Sequence, residues 1–327
     1  RFPVGNAARL LLLTRKSCSC HDGGETTDPS LLSIQAEEYS RFPSGLRRFI
    51  GLSVLAETKS QQAKCRSKPN HRRCPMTGNR TILCMKWGTL YSADYVNVLF
   101  NACRQSLSGD FRFLCLTDDA TGFLPEIEAR AIPEIGCSPQ MWKHGAWPKL
   151  SVFSSDLYSM AGRALFIDLD TVVCGDLQQF FDYPAPFVGI DTSDNWRPGR
   201  QPGGPGALLG TGVFAFDVGS QVQILSRFMV DPQKAFDRAD IEQVWVQEHA
   251  NSIDWWPQDW VISFKRWLRQ PIGLDLFLPP KTPPNGTGLV AFHGDPRPAA
   301  LLYSGNRRWD RLPHMGHGQV AWMRDYW

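Results

Sequence analysis

From Thr81 onward, short apolar runs alternate with stretches in which apolar residues recur at helical spacing. Short apolar runs predict buried strands, and the helical recurrence predicts amphipathic helices. Strands and helices that alternate in this way are typical of βαβ units around a parallel sheet. We therefore expect an α/β fold in which helices flank a mixed, mostly parallel sheet.

The predicted elements occupy most of the chain after Thr81. In the first half they are strands Ile82–Met85, Arg112–Thr117 and Ala164–Asp168, with helices from about Asp94 to Gln105 and from Leu150 to Met160. In the second half they are a strand, Gly212–Asp217, and a helix, Val222–Met229. A Trp-rich stretch from Trp245 to Trp267 follows, whose aromatic faces we expect to stack against a hydroxyl-rich ligand.

Residues 1–75 differ from the rest in pattern and composition, because they lack a sustained hydrophobic periodicity and mix Ser, Arg, Gly and Pro. They contain thirteen Lys or Arg and six acids, so the positive net charge of the whole chain, +3, comes from this segment. Weak hydrophobic patterning favours disorder. We expect residues 1–75 to be a disordered or non-native N-terminal extension, with translation starting at Met76, and residues 76–327 to form a single domain.

Charge and cysteine content argue against several classes of protein. A nucleic-acid-binding face would gather basic residues with interleaved aromatics, but the chain after residue 75 offers only short pairs such as Arg307-Arg308. The nine cysteines form no C-x-x-C spacing, and several lie in apolar runs, as free thiols do in a reducing compartment. No run approaches the ~20 apolar residues of a membrane helix. We expect a cytoplasmic protein without a transmembrane segment or a nucleic-acid partner, at most peripheral to a membrane.

Asp168-Leu169-Asp170 is the strongest chemical signal, because it closes an apolar run that begins at Arg163. With one residue between them on an extended backbone, the two carboxylates point to the same side and can converge on one divalent cation. Ligands of open α/β sheets gather at the carboxyl ends of strands, where this pair lies, and Mg²⁺ or Mn²⁺ prefers such oxygen ligands. The alternative is that one Asp caps a turn and the other is a solvated strand end.

Further motifs occur in an order that a known family shares. They are Lys86-Trp87-Gly88-Thr89, Leu116-Thr117-Asp118-Asp119, Trp147-Pro148-Lys149-Leu150, Asp168-Leu169-Asp170, Thr211-Gly212-Val213, Glu242-Gln243, Trp256-Pro257 with Ser263-Phe264-Lys265, and the segment from Phe292 to Pro298. With them, the stretch from Met76 to Pro298 resembles a bacterial glycosyltransferase of the GT-A fold, in the family 8-like group. The resemblance implies a Rossmann-like nucleotide-diphospho-sugar transferase, with a donor-binding part at about 80–180 and an acceptor-side part at about 181–327.

The resemblance also implies a reaction and its partners. The donor would be a nucleotide-diphosphate-sugar, the acceptor a hydroxyl of a glycan or other glycoconjugate, and the cofactor Mn²⁺ or Mg²⁺. A diphosphate leaving group gains negative charge as the glycosidic bond breaks, and a cation between carboxylates and phosphate oxygens stabilises that charge. The motifs do not specify the sugar, the base, the acceptor or the stereochemical outcome.

Individual residues receive roles by the same resemblance. The metal ligands would be Asp168, Asp170 and His293, and Glu242 and Gln243 would approach the reacting sugar, with Glu242 where the family has Asp. Donor binding would involve Lys86, Gly88, Thr89, Tyr91, Asp118, Lys149, Asp168, Thr211, Gly212, Lys265, Gly294 and Arg297, with Tyr91 or Tyr95 stacked on the base. From the residues alone, His293 fits a core histidine, and Lys265 and Arg297 fit a solvated face.

Two other functions fit parts of the same pattern. Asp168-Leu169-Asp170-Thr171-Val172 also matches the D-x-D-x-V motif of a haloacid-dehalogenase-type phosphatase, in which the first Asp attacks phosphorus. A non-catalytic carbohydrate-binding protein could keep the fold without turnover.

Overall fold

The computed structural model of the chain describes residues 80–138, 145–303, 308–309, 316 and 318–327. The predicted extension, residues 1–75, and the predicted start at Met76 lie outside these ranges.

Strands and helices alternate in the first part of the described chain. The strands are β1 (Arg80–Lys86), β2 (Arg112–Thr117), β3 (Glu128–Arg130), β4 (Arg163–Ile167), β5 (Thr171–Val173) and β6 (Phe187–Asp191). The helices are α1 (Ala93–Ser106) and α2 (Gln178–Asp182), with a 3₁₀ segment at Trp147–Phe153. Strands β1, β2 and β4 and helix α1 lie within a few residues of their predicted bounds, which confirms those elements.

The second part has one long strand and several short elements. The strands are β7 (Leu209–Asp217), β8 (Asp254–Trp255), β9 (Val261–Ser263) and β10 (Leu289–Ala291), and the helices are α3 (Val222–Val230), α4 (Pro232–Arg238) and α5 (Glu242–His249). A π-helical turn spans Phe264–Leu268, and 3₁₀ turns span Leu274–Leu276, Pro298–Leu302 and Ala321–Asp325.

Seven strands form the main sheet in the order β3-β2-β1-β4-β7-β6-β8. Strand β1 pairs in parallel with β2 and β4, β2 pairs in parallel with β3, and β6 pairs in parallel with β8. Strand β7 runs antiparallel to both of its neighbours, β4 and β6. The predicted α/β fold with a mixed, mostly parallel sheet is therefore confirmed.

Helices cover both faces of this sheet. Successive side chains of its central strands point to opposite faces, so each of these strands contributes to two cores. Ile82 and Cys84 of β1 lie in a core that includes apolar residues of α1 and α2. Leu83 and Met85 lie in a second core, with the Trp147–Phe153 segment and helices α3 and α5. Because both faces are buried, the central strands read as continuous apolar runs.

A smaller sheet of three strands, in the order β5-β10-β9, lies next to the carboxyl end of β4. Strand β10 pairs antiparallel with β5, which begins one residue after Asp170. The backbone N–H of Phe292 donates to the carbonyl of Asp170 at 2.9 Å. The segment after β10 is thereby held beside the acidic pair.

The predicted helix Leu150–Met160 is wrong after Phe153. The Ser154 hydroxyl accepts from the Asp156 N–H at 3.4 Å, and the Asp156 carboxylate accepts from the Ser159 N–H at 3.3 Å. Such side-chain bonds to nearby backbone compete with helical ones. The chain accordingly turns, with Tyr158 and Ser159 at φ 51° and 55°.

Two tryptophans of the Trp-rich stretch do not fit the expected stacking on a ligand, while Trp255, Trp260 and Trp267 are half-buried. Trp245 and Trp256 are buried, and their indole N–H groups donate to the carbonyls of Ile224 and Val213 at 3.0 and 3.1 Å. These two side chains are packing residues, with no face presented to a ligand.

Phe214 tests the second core, because its ring is 1% exposed and lies within 6 Å of the rings of Phe153, Phe166, Phe187 and Phe216. We expect Phe214→Ala to lower the free energy of unfolding by about 3–5 kcal/mol, since it leaves a cavity. The control is Phe277→Ala, the same change at a ring that is 82% exposed, for which about 0.5 kcal/mol or less is expected. Urea unfolding measures both, and equal losses would contradict the assignment of Phe214 to the core.

Candidate active site at the carboxyl edge of the sheet

Several chain segments meet at the carboxyl edge of the main sheet. The parallel strands β1, β2 and β4 end there, at Lys86, Thr117 and Ile167, and the antiparallel strand β7 passes alongside. The N–H of Asp168 donates to the carbonyl of Gly212 at 2.8 Å. The topology thus brings the acidic pair together with Thr211-Gly212, two motifs far apart in sequence.

Asp168, Leu169 and Asp170 alternate in side-chain direction, as residues of a strand do. Leu169 is buried in the first core, while Asp168 and Asp170 direct their carboxylates to polar partners outside it. Burial raises the pKa of both carboxyls, and their mutual repulsion adds to the rise in the pKa of Asp168. The Asp168 side chain remains about one-third exposed at 34%, so solvent screens part of this effect.

Lys149, on the 3₁₀ segment, is the buried cation of the site. Its Nζ lies 2.9 and 3.0 Å from the two carboxylate oxygens of Asp168 and donates to the Thr211 carbonyl at 2.9 Å. Burial lowers the pKa of Lys149, but the charges of Asp168 and Glu242 more than reverse this, so its pKa lies above the ordinary value. Lys149 is therefore the charged internal partner of Asp168, and its predicted contact with the donor stays a prediction.

Glu242, at the start of α5, is buried behind Lys149. Its Oε1 accepts from the Thr211 hydroxyl at 2.9 Å and lies 4.0 Å from Lys149 Nζ, and its Oε2 accepts from the Ala146 N–H at 2.7 Å. Gly145 has φ +83°, and a Cβ there would lie 2.7 Å from Glu242 Oε2. Both oxygens of Glu242 are thus engaged by the protein. Gln243 is half-buried and, as the next residue on a helix, faces a different direction.

Tyr91 contacts the second acid. Its hydroxyl donates to Asp170 Oδ2 at 3.0 Å, the guanidinium of Arg297 lies 5.2 Å from its ring centroid, and the Tyr95 ring packs edge-on at 5.0 Å. Burial, with the charge of Asp170, raises the pKa of Tyr91, so its phenol stays protonated and continues to donate. The ring of Trp327 packs edge-on against the ring of Tyr95, 4.7 Å away.

The ends of β1 and β2 provide further predicted donor-binding residues. The N–H of Gly88, at φ +61°, donates to the Asp118 carboxylate at 2.8 Å, and Lys86 Nζ donates to the Asp119 carbonyl at 3.3 Å. Lys86 is buried, whereas Thr89 is exposed. These residues lie on the same edge as Asp168, because β1 pairs with β4 and β2 pairs with β1.

The smaller sheet contributes the basic side of the site. His293 follows Phe292, and its Nε2 lies 2.8 Å from the Ser263 hydroxyl, while its ring lies 5.5 Å from the ring of Trp196. Burial, with the nearby positive charge of Lys265, lowers the pKa of His293 to about 4, so the imidazole is neutral near pH 7. Gly294, at φ +75°, lies close to Lys265, whose Nζ would be 3.7 Å from a Cβ at that position.

The three predicted metal ligands do not form a preassembled cluster. In the part of the chain that the structure describes, no three His, Cys, Asp or Glu side chains are grouped as they would be around a metal ion. Asp168 and Asp170 are adjacent, while His293 bonds to Ser263.

Trp196 was missed by the sequence analysis. Its ring lies against His293, and its indole N–H donates to the Val261 carbonyl at 2.8 Å. It lies in the irregular loop after β6, where no periodic pattern could indicate which way a side chain points.

Comparisons with known proteins give a likeness in fold alone. No protein-family model and no curated protein sequence matches the chain. The galactosyltransferase LgtC, solved with donor and acceptor sugar analogues, is similar at a TM-score of 0.46 and 9% identity, over 67% of this chain and 88% of that chain. The bifunctional glycosyltransferase WbbM matches at 0.46 and 11%, over 70% of this chain and 48% of that chain. The glycosyltransferase GlyE of Streptococcus pneumoniae TIGR4 matches at 0.44 and 10%, over 67% and 56%.

Of the helices that the structure describes, none combines the length and the apolar character needed to cross a bilayer.

Lys149 offers a test of this charge network. Replacing it by Met leaves the carboxylate of Glu242, 7% exposed, without its cation, and we expect a loss of about 3 kcal/mol in the free energy of unfolding. Adding Glu242→Gln to Lys149→Met should recover part of that loss. Lys281→Met, the same change at an exposed lysine, is the control. Equal stability of Lys149→Met and the control in urea unfolding would refute the network.

Proposed function

We propose that the protein is a metal-dependent glycosyltransferase that moves a sugar from a nucleotide-diphosphate-sugar donor to a hydroxyl acceptor on a glycan or other glycoconjugate. The observation that carries the proposal is the pair Asp168 and Asp170 at the carboxyl edge of the sheet, with Arg297 5.2 Å from the ring of Tyr91, which bonds to Asp170, and with Lys265 close to Gly294. Carboxylates and cationic side chains in one region are what a cation and a diphosphate require together.

The acidic pair suits a hard divalent cation. Mg²⁺ and Mn²⁺ commonly bind through one or two carboxylates and complete their coordination with water and substrate phosphates, so a three-residue protein cluster is not needed. The raised pKa values of Asp168 and Asp170 indicate that the protein alone does not fully neutralise the pair. Asp168 and Asp170 would hold the cation, with the neutral imidazole of His293 as a further candidate ligand. When bound, the cation would stabilise the negative charge of the leaving diphosphate.

The remaining residues would position the reactants. Lys149 fixes the Asp168 carboxylate with bonds to both oxygens, and Glu242 fixes Lys149 and Thr211. Gly212 carries no side chain beside Asp168 Oδ2, where a Cβ would lie 3.5 Å away, which leaves that side of the carboxylate open to the donor sugar. Gln243, the next residue on the helix, points in a different direction from Glu242 and is the member of the pair that we assign to contact with the sugar.

Basic and backbone groups around the pair would bind the rest of the donor. Arg297, with its forked guanidinium, and Lys265, with its ammonium point charge, would neutralise the diphosphate. Gly88, Thr89 and Asp118 at the ends of β1 and β2 would line the nucleotide. The phenol of Tyr91 holds Asp170 in a fixed orientation.

Donor hydrolysis tests the proposal directly. Purified protein is assayed against a panel of nucleotide sugars with Mn²⁺ and with a chelator, and donor binding is followed by thermal shift, since a ligand that binds the native state raises its melting temperature. We expect Asp170→Asn to lower turnover by roughly a hundredfold or more. Asp176→Asn, the same change at an exposed acid outside the site, should retain full activity. Activity that survives both chelation and Asp170→Asn would defeat the mechanism.

An aryl phosphate is included in the same assay. Phosphate release from it, without any effect of nucleotide sugars, would favour the phosphatase alternative. Donor binding without turnover would favour the carbohydrate-binding alternative.

Cation binding can also be measured without turnover. The Tyr91 hydroxyl donates to Asp170 Oδ2, which orients the carboxylate. Burial raises the pKa of Asp170, and this hydrogen bond opposes that rise. We expect Tyr91→Phe to bind Mn²⁺ roughly tenfold more weakly, since a ligating carboxylate is oriented by its hydrogen-bond donor. Electron paramagnetic resonance titration of free Mn²⁺ measures this affinity. Tyr95→Phe, at a ring that packs on Tyr91, is the control and should not change it. Equal or tighter Mn²⁺ binding in Tyr91→Phe would refute this role of the phenol.

A further inference from the structure

Residues 270–281, between the turn Phe264–Leu268 and strand β10, form a closed loop that projects apolar side chains outward. The N–H of Lys281 donates to the Leu268 carbonyl at 2.8 Å, and the Gln270 side chain donates to the Pro279 carbonyl at 2.8 Å. Within the loop, the N–H groups of Phe277 and Leu278 donate to the Leu274 carbonyl at 3.0 and 2.8 Å. The loop is therefore a compact unit whose ends are tied together.

The exposed face of this loop is unusually apolar. Phe277 is 82% exposed and Ile272 is 64% exposed, and the neighbouring side chains of Leu274, Leu276 and Leu278 are also exposed. Isolated exposed apolar residues are ordinary, whereas several in one short loop mark an interaction surface. We call the side chains of Ile272, Leu274, Leu276, Phe277 and Leu278 the apolar loop face.

The charges of the loop indicate which kind of surface it fits. Asp275 is the single acid between residues 269 and 281, and it is buried against Arg269, with its Oδ2 2.8 Å from Arg269 Nη2. The charge that this segment shows to solvent is that of Lys281, which is exposed. Arg308, also exposed, precedes Trp309, and Trp309 lines a 260 Å³ cavity together with Leu276, Phe277 and Leu278 of the loop. Within residues 269–281, the apolar loop face is thus accompanied by positive charge and by no outward carboxylate.

We propose that the apolar loop face inserts into the interface of an anionic lipid bilayer. Apolar side chains gain free energy by leaving water for the acyl boundary, and lysine and arginine beside them are attracted to acidic headgroups. The internal Arg269–Asp275 pair keeps the one carboxylate of residues 269–281 away from the anionic lipid that would repel it. Binding of this kind is peripheral and reversible, because a few inserted side chains fall far short of a spanning helix. The proposal does not depend on the proposed reaction.

Vesicle flotation with the full chain tests this surface. The protein is mixed with vesicles of phosphatidylcholine alone, or of phosphatidylcholine with phosphatidylserine, and the bound fraction is measured. We expect binding to the mixed vesicles, little binding to phosphatidylcholine alone, and a loss of binding at high salt. Phe277→Ser should weaken the binding roughly tenfold, because the phenyl ring that would be buried in the bilayer is lost. Lys281→Gln should weaken it roughly fivefold on the mixed vesicles.

A matched control separates this loop from general stickiness. Val230 is 84% exposed on helix α3, away from the loop in sequence, so Val230→Ser should bind vesicles as the unchanged protein does. Equal weakening in Val230→Ser and Phe277→Ser would overturn the proposal, as would unchanged flotation of Phe277→Ser. Sedimentation in the absence of lipid tests whether a second copy of the protein binds the same face. If Phe277→Ser turns a dimer into a monomer, the face is an interface between two copies and the lipid proposal is wrong.

Discussion

A buried lysine between two carboxylates holds the candidate site together. Lys149 contacts both oxygens of Asp168 and the carbonyl of Thr211, and Glu242 lies behind it. Burying any one of these charges alone would cost several kcal/mol, whereas together the opposite charges offset part of that cost. The network ties the 3₁₀ segment, strand β7 and helix α5 to the end of β4. Asp170, one residue further, accepts a hydrogen bond from the neutral phenol of Tyr91.

The second constraint is the junction of the two sheets at Asp170. Its side chain faces the site, while its backbone carbonyl accepts from the N–H of Phe292. The same residue therefore carries a charge and anchors the segment that bears His293, Gly294 and Arg297. This arrangement explains how residues from the two ends of the described chain reach one edge of the sheet. It also means that a backbone hydrogen bond positions the basic side of the site, whether or not an anion is bound there.

The sequence predicted those features that a local pattern can encode. Strands β1, β2 and β4 are buried on both faces, so they appear as apolar runs, and the acidic pair stands out because it ends such a run. The partners of that pair could not be read in the same way, because Lys149 reaches Asp168 from the 3₁₀ segment and Glu242 reaches Lys149 from helix α5, contacts that only the tertiary fold creates. The residues after Phe153 were misassigned because Ser154 and Asp156 redirect the backbone, a local effect that apolar spacing does not register. Strands β5, β9 and β10 have three residues each, too few to show any period.

The absence of a side chain at Gly145 affects the electrostatics of the Asp168–Asp170 edge. Only a residue without a Cβ leaves room for Glu242 to reach the amide of Ala146, since the added atom would stand 2.7 Å from its oxygen. An alanine there would displace Glu242, and Lys149 would then be shared differently between its acidic neighbours. A position with no charge and no polar side chain thus governs how much negative potential the Asp168–Asp170 edge can offer, and inherited variation at such a position would mimic a change in the acids themselves.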